Sequence, residues 1–258
     1  MKLTKLVTGI ALSIAAAASS WAGTTKPTIV LVHGAFADSS SWNGVTQILE
    51  SDGYTVIAAA NPLRSLKGDA QSIDDLLQSL KSPAVLVGHS YGGAVISNAA
   101  YDQVNVKALV YVAAFAPDMG ESAIALSGMF PGSTLGPTLA PPVALSSGAN
   151  DLYIQQDKFH NQFAADVPSA DAKLMAVAQR PVTDAALNEV PTEVAWRKIP
   201  SWWVYGDADK NIPPQAMKFM AERAKSRETL VIEGGSHVVM ISHPEEVARL
   251  IESAANAN

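Results

Sequence analysis

Six apolar runs punctuate the chain, at residues 28–32, 54–60, 84–87, 106–115, 202–205 and 229–232. They are continuous rather than alternating and rich in β-branched residues, the pattern of strands covered on both faces. Between them, apolar positions recur at helical spacing over 41–51, 69–80, 94–101, 214–225 and 244–254. The last of these opens on a capping-box signature, with Ser242 as N-cap and Glu245 three residues on. Strand and helix alternate, which predicts class α/β: a mostly parallel six-stranded sheet with helices on both faces.

The rhythm breaks over residues 118–199. No strong buried strand occurs there, and the stretch holds Pro131, Pro137, Pro141, Pro142, Pro168, Pro181 and Pro191. Residues 143–146 and 152–154 flank Gly148-Ala149-Asn150-Asp151, which reads as a small hairpin. Residues 157–164, 169–179 and 183–188 read as helices. The expected organisation is a core of 23–117 and 200–258, with a mainly helical lid, or cap, at 118–199. The lid is inserted after the strand ending near Phe115 and folds over the C-terminal ends of the strands. Long excursions of this kind are usually functional; the alternative is a subdomain that only packs.

The N-terminus is a separate object. Lys2 and Lys5 precede an apolar run from Leu6 to Ala18, followed by Ser19, Ser20, Trp21 and Ala22. A charged start, an apolar middle and small residues before a cut describe a secretory signal peptide over 1–22, cleaved after Ala22. The run is shorter than the roughly 20 residues of a membrane span, so no stable membrane anchor is expected and the mature protein should be periplasmic or secreted. Loss of Lys2 and Lys5 would take the formal charge from −6 to −8. An acidic surface with no basic stretch disfavours nucleic acid as a partner. The chain has no cysteine, which excludes disulfides, thiol nucleophiles and thiolate metal sites.

Three short segments carry candidate chemistry. The first is Gly88-His89-Ser90-Tyr91-Gly92-Gly93, between an apolar run and a helical pattern. A serine hydroxyl becomes a nucleophile when a base takes its proton and the oxygen stands clear of the backbone. A tight strand-to-helix turn supplies the clearance and needs small residues two positions either side, here Gly88 and Gly92. The second segment, Gly206-Asp207-Ala208-Asp209, follows the run at 202–205. The third, Gly234-Gly235-Ser236-His237, follows the run at 229–232. Histidine titrates near neutral pH, as a general base should.

Of the five histidines, His237 is placed to lean over Ser90 from a strand's C-terminal end. His33 reads as a brace for its own loop, His89 as pointing away from the site, His160 as packing in the lid, and His243 as exposed. Asp207, directly after Gly206, reads as shaping the turn. Asp209, deeper in the loop, is the preferred partner of His237. A tetrahedral intermediate needs two backbone donors. The amide of Tyr91 is one, and that of Ala35, in His33-Gly34-Ala35-Phe36, is the other. Met119, Met129, Phe130, Tyr153, Phe159 and Phe163 are candidate pocket residues, and at least one of Trp202 and Trp203 is expected in the core.

These segments, in this order, resemble the α/β-hydrolase superfamily over nearly all of the mature length. The chain looks closest to the compact branch of plant methyl-ester hydrolases and hydroxynitrile lyases and their bacterial esterase-like relatives. That branch lacks the first two antiparallel strands of the full fold, and this chain enters its first apolar run at Thr28. The resemblance implies Ser90, Asp209 and His237 as catalytic residues and Ala35 and Tyr91 as the oxyanion hole. The lyases carry Lys after the histidine and Thr at the place of Gly34. Here Val238 follows His237, so the resemblance points to hydrolysis. The branches with an aspartate nucleophile are excluded by Ser90, and Tyr91 departs from the Met usual in perhydrolase-like relatives.

The expected function is an exported serine hydrolase acting on a small, hydrophobic carboxylic ester, with no metal or organic cofactor. The alternatives are a ligand-binding protein on a hydrolase scaffold, and a lyase or acyltransferase using the same residues. Nothing in the sequence bears on oligomeric state.

Overall fold

A computed structural model describes residues 26–257; the expected signal peptide lies outside the described residues. The chain begins with β1 (Thr28–Val32), α1 (Asn43–Ser51), β2 (Val56–Ala59), α2 (Leu66–Ser79), β3 (Ala84–His89), α3 (Tyr91–Ala99) and β4 (Val106–Val112). The intervening segment holds α4 (Ala123–Met129), β5 (Val143–Ala144), β6 (Asn150–Leu152), α5 (Gln156–Phe163), α6 (Ser169–Ala178), β7 (Val182–Thr183) and α7 (Asp184–Asn188). The chain then returns through β8 (Ser201–Gly206), α8 (Pro214–Arg223), β9 (Glu228–Ile232), α9 (Val239–Ser242) and α10 (Pro244–Asn256).

Six strands form one sheet in the order β2-β1-β3-β4-β8-β9, and every pair is parallel. The inner strands are the apolar runs: β1, β3 and β8 are buried along their whole length. The edge strand β9 departs from the expectation of cover on both faces, since only Ile232 in it is buried. Trp202 and Trp203 are both core, and Trp203 stacks on Tyr111 at 4.5 Å between ring centroids.

The order of strands locates the site. The chain leaves β1 for β2 on one side and leaves β3 for β4 on the other. Right-handed crossovers therefore put α1 and α3 on opposite faces. In accord with this, α1 packs with α10, and α2 with α3. The loops after β1 and β3 diverge and open a crevice at the C-terminal ends of the strands, the usual ligand position in such sheets.

Helix boundaries shift from the periodic pattern where local chemistry intervenes. α2 begins at Leu66 because the Ser65 side chain caps it, accepting from the Gly68 amide at 3.1 Å. α3 starts directly at Tyr91. The capping box expected at Ser242 does not form: Ser242 ends α9, and α10 begins at Pro244 with His243 as an uncapped N-cap. Proline suits the first helical position because the amide it lacks would have no partner there. In the 118–199 segment the hairpin forms as β5–β6, β7 completes a three-stranded antiparallel sheet, and α4 adds a helix the pattern did not announce.

Candidate active site

Ser90 sits between β3 and α3 with φ 55° and ψ −124°. A non-glycine residue in that region costs about 1–3 kcal/mol and persists only where neighbours over-determine it. They do so here. The Ser90 amide donates to the Val112 carbonyl at 3.2 Å, and its own carbonyl accepts from Gly93 and Phe115, both at 3.0 Å. The turn is also as tight as the spacing required. A Cβ on Gly92 would lie 2.4 Å from the Val32 carbonyl oxygen, so only glycine lets α3 approach β1 this closely.

Three of the candidate residues join in one hydrogen-bonded chain. The Ser90 hydroxyl donates to His237 Nε2 at 2.8 Å, and His237 Nδ1–H donates to Asp209 Oδ2 at 2.6 Å. The His237 and Asp209 side chains are almost wholly shielded from solvent. Asp209 Oδ1 accepts from the amides of Asn211 at 2.7 Å and Ile212 at 3.0 Å, which fixes the carboxylate and leaves Oδ2 for the imidazole. Asp207 has the separate task expected of it: Oδ1 accepts from the Gly234 amide at 2.7 Å and ties the aspartate loop to the histidine loop.

The remaining histidines divide as follows. His33 braces the loop after β1, with Nδ1 donating to the Gly34 carbonyl and Nε2 accepting from the Asn61 amide, both at 3.0 Å. Burial holds its pKa below the ordinary value. His89 does not point away from the site. Its Nε2 donates to the backbone carbonyl of His237 at 3.0 Å, and the two rings lie 4.8 Å apart. Burial, and then repulsion from His237, push the pKa of His89 well below the usual range. His160 donates to the Val167 carbonyl at 2.9 Å. His243 is half-buried rather than exposed, with Nδ1 3.7 Å from Asp166.

Ser90 and His237 open onto a cavity of about 270 Å³, lined also by Ala35 and Tyr91. Tyr91 is the first residue of α3, so its amide has no acceptor within the helix. The Phe36 amide is taken by the Arg180 carbonyl at 2.9 Å, which removes it from the candidates in that loop. The rest of the wall is largely apolar and comes from the 118–199 segment: Ala123, Ile124, Leu135, Leu139, Leu152 and Leu187.

None of the six pocket residues expected from sequence is among the lining residues. Met119 and Met129 are exposed, and Phe130 packs on Phe219. Phe159 and Phe163 are fully buried, and Phe163 sets its ring edge-on to His237 at 5.2 Å. The segment therefore supports the histidine as well as walling the cavity. Asp166, which sequence reading missed, reinforces this: it accepts from the Ser236 amide at 3.0 Å and from the Ser236 hydroxyl. Among the described residues, no group of three or more His, Asp or Glu is placed to hold a metal.

Comparison with known proteins agrees with this architecture. Residues 29–250 match the family model described as the alpha/beta hydrolase family. The chain is 26% identical over 251 residues to an alpha-hydroxynitrile lyase of Arabidopsis thaliana, covering 86% of this chain and 94% of that protein. It is 26% identical over 247 residues to Methylesterase 8 of the same plant, covering 85% and 86%. The solved structure of polyneuridine aldehyde esterase superposes with a TM-score of 0.75 at 19% identity, covering 90% of this chain and all of that one.

Proposed function

Because the chain belongs to the α/β-hydrolase family, with esterases and a lyase among its relatives, we propose that it is an exported serine carboxylesterase. The observation that carries this reading is the unbroken Ser90–His237–Asp209 chain opening onto an apolar cavity. Ser90 Oγ attacks the ester carbonyl carbon while His237 Nε2 takes the hydroxyl proton. Asp209 holds the imidazole in the required tautomer and stabilises the imidazolium. The amides of Ala35 and Tyr91 donate to the oxyanion. His237 then protonates the departing alcohol, and a water activated by the same histidine releases the acid and frees Ser90.

Hydrolysis is favoured over cyanohydrin cleavage. A threonine in place of Gly34 would bring its Cβ 2.6 Å from that of Ser90. Val238, where the lyases carry lysine, is fully buried, and a charge there would go unpaired. The cavity volume and its apolar wall suit a small or medium hydrophobic acyl or alcohol group. Export rests on the N-terminal pattern of Lys2, Lys5 and the run from Leu6 to Ala18. Among the described residues no helix is long and apolar enough to cross a membrane.

The mechanism is tested with Ser90→Ala and with a fluorophosphonate probe. Wild type should hydrolyse short p-nitrophenyl esters and label covalently at Ser90. Full ester hydrolysis by the variant would refute the mechanism, and a wild type that neither labels nor hydrolyses would favour the ligand-binding alternative. N-terminal sequencing of the extracytoplasmic protein should begin at Gly23; an intact Met1 would refute export.

A further inference from the structure

Asp69 is a carboxylate where α2 calls for an apolar side chain. Leu66, Ala70, Ile73 and Leu77 form the buried face of that helix, and Asp69 lies among them with no exposed surface. Burying a carboxylate is costly unless its oxygens are bonded. Here Oδ1 accepts from the Arg64 amide at 3.1 Å, and Oδ2 accepts from the Tyr91 hydroxyl at 2.9 Å. Burial nonetheless pushes the Asp69 pKa up, with those two bonds opposing it in part. An apolar pair could hold α2 against α3 without that cost, so helix packing alone does not account for the bond.

The bond ends on the residue after Ser90. The peptide unit linking Ser90 to Tyr91 carries the amide assigned above to the oxyanion. Its orientation is set by ψ of Ser90 and φ of Tyr91, and the first of these belongs to a strained turn. The Val112, Gly93 and Phe115 bonds secure the Ser90 side of that unit. The Tyr91 side is secured by a buried ring whose far end is tethered to Asp69, so the amide cannot rotate without dragging the ring from its seat.

The anchor is itself fixed by the segment that walls the cavity. The Thr183 amide donates to the Leu63 carbonyl at 3.1 Å, and the Thr183 hydroxyl to the Arg64 carbonyl at 2.7 Å. The Arg64 guanidinium donates to Asp151 at 2.6 Å and to the Pro181 carbonyl at 2.7 Å. The Glu189 carboxylate accepts from the Leu66 amide at 2.6 Å. The turn that leads into α2, and presents the Arg64 amide to Asp69, is thus sewn to residues 151–189.

We propose that Asp69 is a positioning residue: through its bond to the Tyr91 hydroxyl it aims the Tyr91 amide at the oxyanion. The proposal rests on the serine-esterase reading and assigns Asp69 a role no motif in the chain announces.

Tyr91→Phe removes only the hydroxyl, and Asp69→Ala removes the anchor. With p-nitrophenyl butyrate, each should lower kcat about tenfold, a fraction of the 10²–10³ lost with a whole oxyanion donor, and leave KM within about twofold. The double variant should fall no further than the worse single variant, because both remove one bond. A readout separates aim from mere stability. A trifluoromethyl ketone reacts when Ser90 Oγ bonds its carbonyl carbon and the hydroxyl proton passes to His237, leaving an oxyanion. Its inhibition should weaken about tenfold in Tyr91→Phe, while a methyl ketone of the same chain, bound without that bond, should bind as before. A Tyr91→Phe variant with unchanged kcat and unchanged trifluoromethyl ketone inhibition overturns the proposal, whatever happens to its Tm. Ser90→Ala in the same assay keeps the two readings apart. Activity retained there refutes the serine mechanism, whereas an inactive Ser90→Ala beside a fully active Tyr91→Phe refutes only the role of Asp69.

Discussion

Asp209→Asn changes one atom in a buried hydrogen-bonded chain, and the structure dictates which way the new amide must turn. Asp209 Oδ1 accepts two backbone amides, from Asn211 and Ile212, while Oδ2 faces His237 Nδ1. If the asparagine keeps its oxygen toward the two amides, its NH₂ points at Nδ1. The imidazole must then accept there and carry its proton on Nε2, where it can no longer take one from Ser90. If the asparagine flips, the tautomer is right but two buried amides face a donor, at about 1–3 kcal/mol each. The flipped form is therefore disfavoured by about 2–6 kcal/mol, or about 30-fold to more than 10⁴-fold. The active form also loses the charge that stabilised the imidazolium. The expected kcat is lower by about 10⁴-fold, with KM little changed, because Asp209 does not line the cavity. The assay is p-nitrophenyl butyrate hydrolysis at neutral pH, with circular dichroism to show a native fold. Asp207→Asn is the control: its single bond to Gly234 lies near the surface, and its rate should stay within about threefold. A folded Asp209→Asn with more than a tenth of wild-type kcat, or an Asp207→Asn that falls as far, would refute the assignment.

Other consequences can be checked separately. A Cβ on Gly206 would lie 2.0 Å from the Gly235 carbonyl oxygen, so Gly206→Ala should force the aspartate and histidine loops apart, costing at least about 2 kcal/mol in urea unfolding and most of the activity; wild-type stability and rate together would show the contact to be soft. Leu135→Trp should fill part of the cavity and lower kcat/KM for an octanoyl ester at least about tenfold while sparing the acetyl ester, and an unchanged chain-length profile would move the acyl site elsewhere. His33 and His89 are buried with lowered pKa values, so below about pH 6.5 the unfolded chain binds protons that the folded chain refuses. These two groups should make stability fall with pH by about 1.4 kcal/mol per unit each, starting above the range where ordinary carboxylates titrate; urea midpoints that stay flat from pH 7.5 to 5 would contradict this.

The parallel core was readable because each of its inner strands is a continuous apolar run, and because loops at strand ends carry residue types that suit little else. Ser90, Asp209 and His237 stand 119 and 28 positions apart in sequence. They meet because β3, β8 and β9 run in the same direction and end on the same side. The segment over residues 118–199 was legible only in outline. Its strands are two or three residues long and take their register from partners far off in sequence, as β6 does from β7. Aromatic content misled the choice of pocket residues, since Phe159 and Phe163 went into the core beneath His237 and smaller aliphatic residues took the wall.

His89 shows why a motif can name a residue and still misstate its contacts. Its place in the elbow was plain, but its contact with His237 depends on a loop 148 positions away. Asp69 is the opposite case. It has no motif, yet the apolar positions of α2 at Leu66, Ala70, Ile73 and Leu77 put it on the buried stripe. A carboxylate there needs a partner inside the protein, because water cannot reach it. Position 69 was thus a signal available before any coordinates. An acidic residue on an apolar helical face asks for a buried donor, and in a chain whose second helix crosses beside the nucleophile turn, that donor is the hydroxyl of the residue following Ser90.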